Sequence, residues 1–176
     1  AGMMVALTTT LNSSFGSQWV VPGTGILLNN EMDDFAASSD SANQYGLVGN
    51  AANAIEPRKR MLSSMSPTIV LKSGQPYLIT GSPGGSTIIT TVLQVIVNMI
   101  DHGLDLEAAV RQPRIHHQWQ PDVIYFGPEA IAQPTRNALS SLGHQLKERS
   151  AIGDANSISI EGGVFTGFAD LREGGA

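Results

Sequence analysis

The order of apolar runs along the chain predicts an α+β fold built from layers of sheet and helix. Three observations carry this. Strand-like runs open and close the chain, one strongly apolar helical block lies at its centre, and strands and helices do not alternate as βαβ units require. With 176 residues, 41% of them hydrophobic and 14% charged, the chain has the length and composition of a single domain portion with a real core.

Met3–Leu11 is rich in β-formers and reads as a buried strand. Ile26-Leu27-Leu28 reads as a short second strand after the turn residues Pro22-Gly23-Thr24-Gly25. From Asp33 to Arg60 the sequence is rich in Ala, Ser, Asn and Asp and has little periodicity. So long a loop within a domain is expected to be a lid or binding loop, assigned here to residues 36–60. Pro67–Lys72 and Tyr77–Thr80 flank Ser73-Gly74-Gln75-Pro76 as a hairpin. Ser86–Asp101 reads as a helix with Ser86 as N-cap. Its apolar residues spread nearly all the way round, which predicts extensive burial, and Gly103 is placed to end it. Asp105–Gln112 is a second helix halted by Pro113, Val123–Phe126 a strand, and Thr135–Leu142 a helix stopped by Gly143. His144–Glu148, Ser157–Glu161 and Val164–Phe168 are the closing strands.

Composition excludes several classes. The net charge of −5, with no basic block or stripe, argues against a nucleic-acid or anionic-membrane partner. The absence of cysteine removes disulfides and thiolate metal sites. The longest apolar stretch, Ile88–Ile100, is interrupted by threonines, Gln94 and Asn98 and is too short to span a bilayer. The chain opens on Ala1-Gly2 with no initiator methionine or signal peptide, and Arg172–Ala176 follow without a packing pattern. The opening is expected to be the inside of a longer gene product.

Four constellations can carry chemistry. Gly84-Gly85 lies where a strand hands over to a helix. Glycine lets a ligand atom approach the backbone, and two N–H groups there can hold a developing oxyanion; an ordinary tight turn is the alternative. No lysine follows in the spacing of a phosphate loop. Glu31, Asp33 and Asp34 gather three carboxylates behind a short strand, able to bind a metal, hold an ammonium group or face solvent. The spacing is poor for a metal, and none is assigned. Ser63-Ser64 offers adjacent hydroxyls, either carboxylate donors or a polar turn. His116-His117 falls on an extended segment whose neighbours point to opposite faces, so a structural role is favoured over a metal pair. His102 and His144 stand alone, and no Ser–His–Asp order is present.

Several separated stretches belong together: VALTTTLNSSFGS, GILLNNEMDDF, YGLVG, KRMLSSMSPTIV, GSPGGSTIITTVLQVIVNMIDHGL and PRIHHQWQPD, and at the end the ADLREGG run that closes at Gly175. In this order, from Ala1 to about Asp122 and more weakly to Gly175, they resemble the small subunit of the γ-glutamyltranspeptidase (glutathione hydrolase) family. The resemblance implies an N-terminal-nucleophile hydrolase fold, a four-layer αββα sandwich of which this chain is the small-subunit part. It also implies a zymogen that cuts itself into two subunits, and γ-glutamyl transfer from glutathione and similar compounds to water, amino acids or peptides. The first threonine of the small subunit is nucleophile and, through its free amine, base in such enzymes.

By the same resemblance, Gly84 and Gly85 match the oxyanion-hole pair. Glu31 and Asp34 match the residues that grip the substrate's α-amino group, and Asn12 one near the same head group. Ser63 and Ser64 match the α-carboxylate donors. Thr10 matches a second threonine that hydrogen-bonds the nucleophile, and Tyr45 the aromatic residue of a lid loop. No cofactor is implied. The implied partners are the large subunit of the same precursor, which supplies a carboxylate-binding arginine, and small-molecule γ-glutamyl donors and acceptors; the implied location is periplasmic or secreted in a bacterium. The nucleophilic threonine is expected upstream of Ala1, since Thr8, Thr9 and Thr10 are not chain termini. A related acylase of the cephalosporin or poly-γ-glutamate type, and a glutamate-binding module without a nucleophile, are the alternatives.

Overall fold

The computed structural model describes residues 2–38 and 41–172. Ala1, Ser39 and Asp40 of the long loop, and Glu173–Ala176 with the end of the C-terminal motif lie outside the described residues. The chain divides into two compact units, one of Ala1–Thr8 with Met65–Ala176 and one of Thr9–Ser64.

The elements, in chain order, are β1 (Thr68–Lys72), β2 (Gln75–Gly81), α1 (Ile88–Ile100), α2 (Leu106–Arg111), β3 (Ile115–His116), β4 (Ile124–Phe126), α3 (Gln133–Ser141), β5 (Leu146–Glu148), β6 (Asn156–Glu161) and β7 (Val164–Ala169). All belong to the first unit. β1 and β2 form the expected hairpin, and its turn residues Ser73 and Gly74 take φ of +52° and +77°, the left-handed pair that suits a two-residue turn. β6 joins β2 and β7 joins β6, giving an antiparallel sheet of order β1-β2-β6-β7. A smaller sheet pairs β3 with β4 antiparallel and β4 with β5 in parallel, α3 making the crossover. β3 was not anticipated from the sequence, being only two residues long.

The core lies between one face of the large sheet and the pair α1 and α2, where Leu78, Val95, Met99, Leu106, Val110 and Ala155 are buried together. In α1, Val92, Val95 and Met99 recur at helical spacing and make the inward stripe. The expectation that α1 is buried nearly all round is corrected: Ile89, Leu93 and Ile100 are more than half exposed. One side of the helix meets the sheet, and its second apolar side is left open. Asp105 caps α2 by accepting the Ala108 N–H at 2.8 Å.

Alternation in β6 runs opposite to simple hydropathy. Ser157 and Ser159 point into the core while Ile158 is 42% exposed. The buried hydroxyls remain satisfied because Thr80 Oγ1 and Ser157 Oγ, register partners on β2 and β6, meet at 2.7 Å. The outer face of the sheet therefore carries the apolar row of Ile69, Ile79 and Ile158. A sheet with helices on one face and apolar residues on the other is what an αββα sandwich requires of each half.

Three further expectations are corrected. Met3–Leu11 is extended but forms no strand: Met4, Ala6 and Thr8 are half-buried, Met3, Val5 and Leu7 are exposed, and no described segment supplies a ladder of hydrogen bonds. In the second unit, Ile26-Leu27-Leu28 makes only a single bridge, Leu27 to Val20, around the predicted turn. Ser86 is not an N-cap. It lies inside a 3₁₀ turn, Gly85–Thr87, and α1 begins after Thr87, whose hydroxyl donates to the Gly84 carbonyl at 2.9 Å instead of accepting a helix N–H. No described helix is long and apolar enough to cross a membrane.

Candidate functional site

The second unit gathers most of the predicted head-group residues by short polar contacts. Glu31–Asp34 is one 3₁₀ turn, so Glu31 and Asp34 emerge one above the other. Burial, then the Asp34 charge and a hydrogen bond that Glu31 donates to Asp34, push the Glu31 carboxyl above its ordinary range. Burial and Asp33 raise Asp34, while the hydrogen bond with Glu31 pulls it partly back. Glu31 therefore holds its proton more readily than an ordinary glutamate, and its hydrogen bond favours the ionised form of Asp34. A cation placed between them would relieve both.

Side-chain amides hold this turn. Asn53 Nδ2 donates to the Asp34 carbonyl at 2.7 Å, and Asn53 Oδ1 accepts the Leu62 N–H at 3.0 Å. Asp33 Oδ2 accepts the Gln44 N–H at 3.0 Å, which ties residues 43–45 to the acidic turn. Asn12, at φ +76°, donates from Nδ2 to the Asn30 carbonyl at 3.2 Å, and its own N–H is received by Thr10 Oγ1 at 2.9 Å. Tyr45 completes the group. Its hydroxyl donates to the Asn12 carbonyl at 3.0 Å, and burial with the charges of Asp34, Asp33 and Glu31 raises its pKa. Thus Thr10, Asn12, Glu31, Asp34 and Tyr45 are linked within one small unit. Asn30, Gln44 and Asn53 were not singled out from the sequence; isolated amides in a polar loop carry no spacing signal. Ser63 is exposed and Ser64 half-buried at the end of this unit.

Gly84 and Gly85 belong to the first unit, at the junction of β2 and α1. Gly84 has φ +136° and ψ 15°, a conformation closed to side-chain-bearing residues. A Cβ there would lie 2.5 Å from Thr87 Oγ1. The Gly84 carbonyl accepts both the Thr87 N–H at 3.1 Å and its hydroxyl at 2.9 Å. The turn rests on Gly153, whose Cα would be 3.6 Å from that Cβ. Behind it, Thr91 Oγ1 and Asp154 Oδ1 are buried with no hydrogen-bond partner among the described residues.

His116 is buried, its ring bonded to Thr90 Oγ1 and Gln118 Oε1, each at 2.8 Å, and burial lowers its pKa. His117, just past the end of β3, is exposed, with its Nε2 3.0 Å from Asp122 Oδ1. Both border an apolar cleft of about 450 Å³ beside Leu93 and Ile124. No metal-holding cluster of His, Asp or Glu occurs among the described residues. A buried ionic knot lies elsewhere: Asp170 accepts from Arg114 and Arg172, each at 2.7 Å. Burial opposes the Asp170 charge, but Arg114, the Ala155 N–H and Arg172 together hold its carboxyl below the ordinary range.

Residues 1–176 match the family described as gamma-glutamyltranspeptidase. The glutathione hydrolase proenzyme of Escherichia coli K12 is 49% identical over 172 residues, 97% of this chain and 30% of that protein. The chain thus spans about 30% of the length of the curated relatives it matches. A solved acivicin-inhibited gamma-glutamyltranspeptidase superposes with a TM-score of 0.93 at 47% identity, covering 96% of this chain and 92% of that one. The cephalosporin acylase of Bacillus halodurans gives a TM-score of 0.78 at 29% identity, covering 94% of this chain and 30% of that one.

Proposed function

Because the chain belongs to the γ-glutamyltranspeptidase family, we propose that it is the small-subunit part of an enzyme that transfers γ-glutamyl groups from glutathione and related compounds to water, amino acids or peptides. The observation that carries this is the acidic turn, where Glu31 and Asp34 face one another with raised pKa values beside Tyr45 and Asn12. Two partly buried carboxylates brought together on one turn are a receptor for a cation, and a γ-glutamyl compound presents an α-ammonium group.

Each residue takes a role. Glu31 and Asp34 hold the ammonium group, with Asn12 beside them. Ser63 and Ser64 donate to the α-carboxylate, and Tyr45 covers the pocket from the loop of residues 36–60. The N–H groups of Gly84 and Gly85 stabilise the oxyanion formed when the γ-carbonyl is attacked. The nucleophile is an N-terminal threonine upstream of Ala1, activated by its own amine and supported by Thr10. The acyl-threonine then passes the γ-glutamyl group to the acceptor. The partner is the large subunit of the same precursor. Its sheet covers the apolar row of Ile69, Ile79 and Ile158, and the exposed Met3, Val5 and Leu7 pack against it. With bacterial relatives as support, the enzyme works in the periplasm or outside the cell.

The likeness to a cephalosporin acylase supports a second reading, a related acylase. One experiment separates the two. The full-length proenzyme is expressed, its small subunit is sequenced from the N-terminus, and turnover is measured with a γ-glutamyl anilide and with a glutaryl anilide, which lacks the ammonium group. A small subunit that begins with threonine and prefers the γ-glutamyl anilide is the expected result. Preference for the glutaryl compound favours the acylase, and a small subunit without that threonine refutes both.

A further inference from the structure

Two buried hydroxyls flank the Gly84–Gly85 turn, and each donates to a carbonyl of that turn. Ser82 is 3% exposed; its Oγ donates to the Pro83 carbonyl at 2.6 Å and accepts the Asp154 N–H at 2.9 Å. Thr87 is 4% exposed, and its Oγ1 donates to the Gly84 carbonyl at 2.9 Å. A peptide unit is planar, so a carbonyl fixes the direction of the N–H on the following residue. The Pro83 carbonyl shares its plane with the Gly84 N–H. The Gly84 carbonyl shares its plane with the Gly85 N–H. Each hydroxyl therefore holds one of the two N–H groups assigned to the oxyanion.

The bonds do more than aim. A hydrogen bond onto an amide oxygen draws charge away from the nitrogen and makes its N–H a stronger donor. Chain direction alone does not hold these planes. Gly84 lies at φ +136°, Gly85 at φ +56°, and glycine moves more freely between conformations than any other residue. Ser82 is anchored in turn by Asp154, next to Gly153, on which the Gly84 turn packs.

We propose that Ser82 and Thr87 are positioning residues for γ-glutamyl transfer, each orienting and polarising one oxyanion N–H through the carbonyl of its own peptide. This rests on the oxyanion role given to Gly84 and Gly85 above. Acylation and deacylation both pass through a tetrahedral oxyanion, so both halves of the reaction depend on the pair, whereas ground-state binding of the head group does not.

The test uses the full-length proenzyme carrying Ser82→Ala, Thr87→Val or Thr87→Ser, with a γ-glutamyl anilide as substrate and the fraction of mature subunits measured by mass. Ser82→Ala and Thr87→Val are expected to lower kcat by on the order of tenfold to a hundredfold with KM within about threefold of wild type. Thr87→Ser, which keeps the hydroxyl, is expected to restore most of kcat. If wild type does not turn over the anilide, the functional reading itself fails. If wild type is active and both hydroxyl-deleting variants keep wild-type kcat, the positioning role is overturned and the function stands. The role is also overturned if both variants fail to mature, if the loss appears in KM, or if Thr87→Ser is no better than Thr87→Val, since the hydroxyls then matter only for packing.

Discussion

Replacing Asp34 by Asn tests the ammonium site directly, because the change keeps the shape and removes the charge. Asp34 and Glu31 both lie on the 3₁₀ turn, where the Asp34 charge helps to raise the Glu31 pKa, while burial and the Asp33 charge raise that of Asp34. A charge-assisted hydrogen bond to the substrate is worth about 1.5–3 kcal/mol, which at 1.4 kcal/mol per factor of ten is roughly a 10- to 150-fold weaker KM. The structure argues for the lower half of that range. Asp34 is one of the causes that hold the Glu31 pKa up, so the Asn variant lets Glu31 ionise more readily and recover part of the attraction. We therefore expect KM for a γ-glutamyl anilide to rise about 10- to 30-fold with kcat little changed. The pH profile supplies an independent reading. Because Glu31 and Asp34 are raised, wild-type affinity should decline as pH falls through a range above that of ordinary carboxylates. In the Asn variant that decline should shift to lower pH. Full-length enzyme assayed by steady-state kinetics from mildly acid to neutral pH gives both quantities. An unchanged KM, or an acid limb that does not move, refutes the coupling of Glu31 and Asp34 at the substrate.

Other positions give shorter tests. Asn53→Ala removes the anchors of the Asp34 carbonyl and the Leu62 N–H, and KM should rise roughly fivefold to thirtyfold, at about 1 kcal/mol for each of the two bonds, with kcat nearly constant; a kcat effect alone would count against it. Gly84→Ala forces a Cβ to within 2.5 Å of Thr87 Oγ1 at φ +136°, so kcat should fall by on the order of 100-fold or more in mature, folded enzyme, and near-normal turnover would remove the oxyanion assignment. Asp170→Asn leaves Arg114 buried beside Arg172 without its carboxylate and should destabilise the fold by about 3–5 kcal/mol, read by thermal unfolding. The Asp170 pKa is depressed, so its stabilisation is complete above the ordinary carboxylate range and is lost only as pH falls through the lower folded value; unfolding that ignores this range would contradict it.

The parts of the fold that local chemistry dictates were legible in the sequence. The β1–β2 hairpin follows from its turn residues, and α2 from the Asp105 cap and the proline behind it. What failed needed information from elsewhere in the chain. Met3–Leu11 has strand composition, yet a strand exists only with a ladder partner. Ser86 looks like a cap, but the turn tightens to 3₁₀ because Thr87 bonds backwards onto Gly84. The inward Ser157 of β6 was hidden for the same reason, since its pairing with Thr80 depends on a neighbour 77 residues away. Among the candidate site residues, the glycine turn and the acidic cluster were readable as chemistry. The amides of Asn30, Gln44 and Asn53 were not, because they work by reaching other loops.

That division has a physical cause. The second unit contains no regular strand and no α-helix among its described residues, only two short 3₁₀ turns and isolated bridges. Without ladders to satisfy its backbone, it depends on side-chain amides, and those of Asn12, Asn30, Asn43, Asn50 and Asn53 each bond to a backbone group. Such a scaffold carries Glu31, Asp33 and Asp34 on one turn, where burial and a neighbouring charge raise the pKa of Glu31 and of Asp34, which is a local stability penalty. A well-packed helix or strand would gain nothing from that crowding, whereas a substrate ammonium group would convert it into binding energy. The gathering of carboxylates on this turn is thus the kind of broken local rule expected at a site of function rather than in a structural loop. It yields its own check: a glutamate-like ligand with its ammonium group should raise the thermal stability of the enzyme more than the glutaryl analogue does, and the gap should shrink in Asp34→Asn. Equal stabilisation by the two ligands would mean that the acidic pair faces solvent and not the substrate.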